Sequence, residues 1–298
     1  MSKKEEKQST AGAAVAEQSP ETLPAVQGNQ GIATPDGSPS LDEMFAEDAG
    51  AGFQNLHAGD YALPFLAILQ KGSPQVSKVN AKFLRGAEVG DVFNTVSGKV
   101  YKISTTDGGP GITFVPCGYD KKVVRWHSRD SGSGFVSSHN EGDPILKQCT
   151  RNEKNQLVHT ETGDVFVDTA YHFGLLVEDG GFPEACVISM YSTQLKVSRN
   201  WNTTMRSVMK KLPNGKVFNP PMFSRKYTLH TVGFSKDSYD WCGWQISPAG
   251  EVTDVELYKF AREFAKQIES GQVRVSAPPQ EFEEPAEQTA STSSDVPF

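Results

Sequence analysis

The 298-residue sequence predicts a β-dominated α+β body held between two disordered acidic arms. Three observations point there. Apolar runs of period two are separated by glycine-bearing turns, two stretches of helical period interrupt them, and composition changes near residues 52 and 270.

Residues 1–52 are rich in Ala, Gly, Ser, Pro, Gln and Glu and poor in aromatics, so they bury too little apolar surface to offset the entropy of ordering. Within this arm "SLDEMFAEDA" stands apart, because Leu41, Met44 and Phe45 share one helical face behind a Ser40 cap. From Phe53 to Ser270 the pattern is that of a folded body. "GDVFNTVSGKVYKIS" reads as two short strands around a Ser97-Gly98 turn, and "GITFVPCGYDKKVVRWHSR" as β-rich runs on either side of Gly118. "LVHTETGDVFVDTAYHFGLLVED" turns at Thr162-Gly163 and continues as a long strand. "EACVISMY", "KYTLHTVGFS" and "DWCGWQIS" add more. Strands at this density imply a sandwich or a barrel.

Two helices flank the strands. "STQLKVSRNWNTTMRSVMKKL" is expected to run from a Ser192 or Thr193 cap to Pro213, burying Trp201, Met205, Val208 and Leu212. "TDVELYKFAREFAKQIESG" is expected to start at Thr253 or Asp254, stop at Gly271, and turn Val255, Leu257, Phe260, Ala261, Phe264 and Ile268 inward. Residues 271–298 return to a polar, acidic composition.

The net charge of −7 hides an asymmetry. Residues 1–60 hold three basic and ten acidic side chains and 271–298 one and five, which leaves 25 basic and 21 acidic in 61–270. A mildly basic body between acidic arms is the pattern of a polyanion-binding domain. Cys117, Cys149, Cys186 and Cys242 form no CxxC pair, so neither structural zinc nor a disulfide framework is expected. The N-terminal stretch has no apolar signal region, and "YALPFLAIL" is nine residues interrupted by Pro64, so a soluble, cytoplasmic protein without a membrane span is expected.

The chemistry concentrates in residues 185–235, which contain no Asp or Glu but eight cations: Lys196, Arg199, Arg206, Lys210, Lys211, Lys216, Arg225 and Lys226. Read as one helix, Lys196, Arg199, Thr203, Arg206 and Lys210 form a ridge that repels itself unless an anion lies along it. A solvated basic face is the bland reading, and the missing acidic partners favour the functional one. In "YDKKVVRWHSR", Lys121, Lys122, Arg125 and Arg129 cluster around Trp126. On a strand Lys121, Val123, Arg125, His127 and Arg129 point one way, while Trp126 is either core or a stacking platform. Basic grooves with flat side chains bind single-stranded nucleic acid without reading its sequence. No enzyme motif is present: no phosphate-binding glycine loop, no nucleophile elbow, no HExxH and no repeated acidic pair of the kind that holds two metals. No catalytic residue and no cofactor is therefore assigned, and an enzyme remains open only as a site assembled from distant residues.

The sequence ends in "SSDVPF". At Asp295, Val296, Pro297 and Phe298 it resembles the tip of bacterial single-stranded DNA-binding proteins, an acidic linker closed by acid, aliphatic, proline and phenylalanine. That resemblance implies a terminal Phe that enters a pocket on replication and repair proteins. One Asp replaces the family's acidic cluster here, and the body is longer than the small bacterial domain. The whole looks more like a bacteriophage single-stranded DNA-binding protein, which implies an elaborated oligonucleotide-binding-like (OB-like) barrel for 53–270. The expectation is a non-enzymatic single-stranded DNA-binding protein of phage replication or recombination, acting in the host cytoplasm. Alternatives are an assembly protein with a basic protein-binding face and an annealing recombinase. DNA against RNA, and homo-oligomerisation, are left open.

Overall fold

The computed structural model describes residues 40–55, 62–105, 108–128, 134–237, 239–273 and 275. They fall into two units, one within 1–55 and one within 56–298, and each is described by itself. The expectations for residues 1–39, Arg129 and the tail with Asp295, Val296, Pro297 and Phe298 lie outside the described residues.

In the first unit α1 (Leu41–Glu47) begins at the expected Ser40. The Ser40 hydroxyl accepts from the Glu43 amide at 3.3 Å, and the Glu43 carboxylate accepts from the Ser40 amide at 2.7 Å. This reciprocal cap satisfies two backbone donors at the helix start. Leu41, Met44 and Phe45 are exposed.

The second unit opens with a small antiparallel sheet of β1 (Leu66–Ile68), β2 (Val92–Asn94) and β3 (Val100–Tyr101). The main sheet follows, with β4 (Ile112–Trp126), β5 (Phe135–His139), β6 (Cys149–Arg151), β7 (Leu157–His159), β8 (Val165–Val177) and β9 (Glu184–Tyr191). Then come α2 (Gln194–Ser207), the hairpin β10 (Lys210–Lys211) and β11 (Val217–Phe218), β12 (Arg225–Lys236), β13 (Tyr239–Glu251) and α3 (Val255–Glu269). Strand order in the main sheet is β13-β12-β4-β8-β7-β6, with β5 on β4 and β9 on β8.

The long antiparallel pair β4–β8 is the spine, running from Thr113 opposite Val177 to Trp126 opposite Val165. Each strand changes its outer partner along its length: β4 meets β12 and then β5, and β8 meets β7 and then β9. A register shift between Pro116 and Gly118 bends β4 where those partners change, as a bulge does. Two isolated bridges, Phe65 to Val187 and Ser104 to Thr231, attach the small sheet to β9 and to β12. The second unit is thus a curled half-barrel sheet with α2 and α3 against it among the described residues, compatible with an OB-like fold.

Alternation in β8 builds two cores. Ala170 and Leu176 face inward with Phe114, Ile188, Met190, Tyr227, Leu229 and Trp201. Tyr171, Phe173 and Leu175 face outward, where Leu257, Ala261 and Phe264 of α3 cover them. Gly174 is required by close approach, because a Cβ there would lie 2.4 Å from both Phe114 Cζ and the Val115 carbonyl oxygen.

Several expectations change in detail. α3 does start at Asp254, whose carboxylate accepts from the Glu256 and Leu257 amides at 2.8 and 3.2 Å. Val255 (63% exposed) and Phe260 (48%) nevertheless do not face inward. Val255 lies about 200° around the helix from Leu257, and Ala265 supplies the remaining buried position. α2 stops at Ser207, short of Pro213, so Val208 and Leu212 leave its buried stripe and Lys210 leaves its cationic ridge. The Asn219 side chain ends the helix by donating to the Arg206 and Val208 carbonyls at 3.0 and 2.6 Å. Pro213-Asn214-Gly215 then turns the chain into β10–β11, with Gly215 at φ +85°. Neither Ser192 nor Thr193 caps α2 through its side chain: Thr193 is helical and makes no cap bond, and Ser192 has φ +51°.

Candidate nucleic-acid interface

α2 is seated by one aromatic. Trp201 is 3% exposed, with its ring stacked on His172 at 4.5 Å between centroids and edge-on to Tyr227 at 5.5 Å. Phe114 lies 5.8 Å away, and Met205 follows one turn later on the same buried side. The indole N–H has no hydrogen-bond partner among the described residues, so packing alone holds the ring. His172 reaches α2 a second time, through a 2.8 Å bond between its Nε2 and the Ser198 hydroxyl. Burial pushes the His172 pKa down to about 3, so the imidazole under the helix is neutral.

With Trp201 and Met205 turned inward, Lys196, Arg199, Thr203 and Arg206 turn to solvent. No ion pair engages Lys196, Arg199 or Arg206 among the described residues. Thr203 donates back to the Arg199 carbonyl at 2.9 Å. Three unpaired cations within about three turns therefore stand on one rigid face.

The next cations gather beyond the C-terminal end of α2. Lys210 pairs with Glu251 at 2.5 Å, and Arg225 stands opposite Glu251 in the β12–β13 register. The Lys210 ammonium, and secondarily Arg225, hold the Glu251 carboxyl below its usual range. Lys211 and Lys216 are exposed on the β10–β11 hairpin, and Lys226 is half-buried on β12.

The β4 cluster is different. Alternation does place Lys121 and Arg125 on one face and Lys122 and Trp126 on the other, but acids meet these cations. Lys121 pairs with Glu141 and lies 3.7 Å from Asp168. Lys122 lies 3.0 Å from Asp120 and donates to the Asn140 side chain at 2.6 Å. Arg125 grips buried Asp164 at 2.5 and 2.7 Å and reaches Thr162 at 3.1 Å. Burial works against the Asp164 charge, yet the Thr162 hydroxyl and the Arg125 guanidinium together keep its carboxyl below the usual range. Trp126 is half-buried, edge-on to Phe135 at 6.2 Å, and packs on the α3-covered core.

Sequence reasoning missed how the edge of β13 is treated. The Gln70 amide donates to the Cys242 carbonyl and accepts from the Cys242 amide, each at 2.8 Å, and the Gln194 side chain accepts from the Trp244 amide at 2.8 Å. Two glutamines thus stand in for a neighbouring strand at consecutive outward positions, which blunts the edge. No local signal announces these pairings, which span 172 and 50 residues. Past Gln194 the gap between α2 and β13 opens into a cleft of about 270 Å³.

A curled half-barrel carrying a helix with an unpaired cationic face is the class that this geometry defines. The chain matches the family model of the Pam3 phage gp34-like protein over residues 34–274, and it belongs to that family. This agrees with the expectation of a phage protein. No curated protein and no solved structure matches it. No described helix is long and apolar enough to cross a membrane.

Proposed function

We propose that this protein binds single-stranded DNA through the solvent face of α2 and serves phage replication or recombination. The observation that carries the reading is the row Lys196, Arg199 and Arg206, exposed and without an acidic partner among the described residues. Cations left unpaired on a helix lower their mutual repulsion by lying along a polyanion. Lys211, Lys216 and Lys226, with the shared Lys210 and Arg225, extend the path past the end of α2. Lys121, Lys122 and Arg125 are secondary in this reading, because their charges are already matched by acids. The half-barrel, taken as an elaborated OB-like barrel, supplies the curved platform such proteins use.

Titration with labelled poly-dT beside duplex of equal length, at several salt concentrations, tests this. Preference for the single strand is expected, with log K falling against log salt at a slope of roughly −3 to −4 for about five neutralised phosphates. A slope near zero removes the proposal. The tip at Asp295, Val296, Pro297 and Phe298 is proposed to recruit replication or repair proteins, its aromatic giving anchoring area and the Asp295 carboxylate steering. Deleting Val296, Pro297 and Phe298 is expected to abolish recruitment and to leave DNA binding unchanged. Equal loss of DNA affinity would assign the tip to the DNA path instead.

A further inference from the structure

We infer that the cleft between α2 and β13 is a nucleobase subsite, an inference that rests on the single-stranded DNA reading above. At about 270 Å³ it falls below the roughly 300–1,000 Å³ of pockets that enclose a whole small ligand, so it suits a flat fragment of a longer molecule. Val197, Trp201 and Ile246 give it apolar walls, while Asn200, Thr204 and Gln245 give it polar ones. None of the residues that line it carries a charge, which disfavours a charged peptide group and favours a neutral ring.

The polar groups match a base edge. Each side-chain amide offers both donor and acceptor, as the edge of an unpaired base does. The strand adds more: Cys242 and Trp244 turn their backbone polar groups away from β12, toward Gln70 and Gln194. By the same period of two, Ile246 turns its amide and carbonyl outward at the cleft.

The cation row lies beside this opening. Val197 follows Lys196 and Asn200 follows Arg199, and neighbouring residues on a helix are about 100° apart. A strand with phosphates on Lys196 and Arg199 therefore points its bases over the flank formed by Val197, Asn200 and Thr204. Phosphate contacts position the strand, and the cleft takes what projects from it.

The test compares two oligonucleotides of equal length, one of thymidines and one of abasic sugars, binding to the full-length chain. The wild-type protein is expected to hold the thymidine strand about tenfold more tightly, the scale of one favourable base contact. Thr204→Phe, which fills the cleft from an exposed helix position, is expected to erase that gap, and Gln245→Leu to narrow it. A folded Thr204→Phe protein that keeps the whole gap overturns the subsite and leaves the cleft, with its open strand edge, to an extended peptide. Equal binding of both strands by the wild type also overturns it while sparing the phosphate reading; binding of neither overturns the single-stranded DNA reading itself.

Discussion

Replacing Trp201 by alanine is expected to lower folding stability by about 3–5 kcal/mol, the range for removing a buried aromatic from a packed core. The effect sits at the high end because the ring is the shared neighbour of His172, Phe114 and Tyr227, which come from three different strands. The residues around it belong to a half-barrel tied by long ladders, so little collapse into the cavity is available. In a domain of this size the loss corresponds to a fall in melting temperature of roughly 10 °C. DNA affinity should fall too, since Trp201 and Met205 are the buried residues that orient the cation row. Trp201→Phe should recover most of both. Thermal unfolding followed by circular dichroism checks the first effect, and a loss below 1 kcal/mol would mean that α2 is held by something other than this ring.

Removing the charges of Lys196, Arg199 and Arg206 together is expected to weaken single-strand binding roughly 100-fold at moderate salt without unfolding the protein. All three are exposed and make no ion pair among the described residues, and alanine is the best helix former, so α2 loses its charge and keeps its structure. The paired change Lys121→Ala with Lys122→Ala is expected to alter affinity by less than about threefold. Those ammonium groups are engaged by Glu141 and Asp120, and half-exposed ion pairs of this kind leave little net field for a phosphate. A larger effect from the β4 pair than from the α2 triple would move the DNA path from α2 to β4.

The strands were legible where the signals are local. Gly98 and Gly163 turn the chain at φ +73° and +72°, and the alternation in "VFVDTAYHFGLLV" sorts its side chains between the two cores. Asp254 was legible as a cap for the same reason, since its partners are two and three residues away. What escaped depends on residues distant in sequence. The acids that hold Lys121 and Arg125 come from up to 47 residues further along the chain, so a strand that reads as cationic is locally neutral in the fold. The end of α2 escaped because helical periodicity continues through Val208 and Leu212, while Asn219 and the Pro213-Asn214-Gly215 turn take the backbone elsewhere. β1, β5, β6 and the β10–β11 hairpin are five residues or fewer, too short for a period of two to declare itself. The glutamine clips on β13 and the cleft beside them have no sequence signature at all.

Whether phosphates lie on α2 is decided by the salt dependence of poly-dT binding, measured side by side for the wild type and the Lys196, Arg199 and Arg206 to alanine triple. The wild-type slope is expected to be roughly −3 to −4 and the slope of the triple shallower by about 2, one phosphate lost per cation. Identical slopes in the two proteins would contradict a phosphate path on α2.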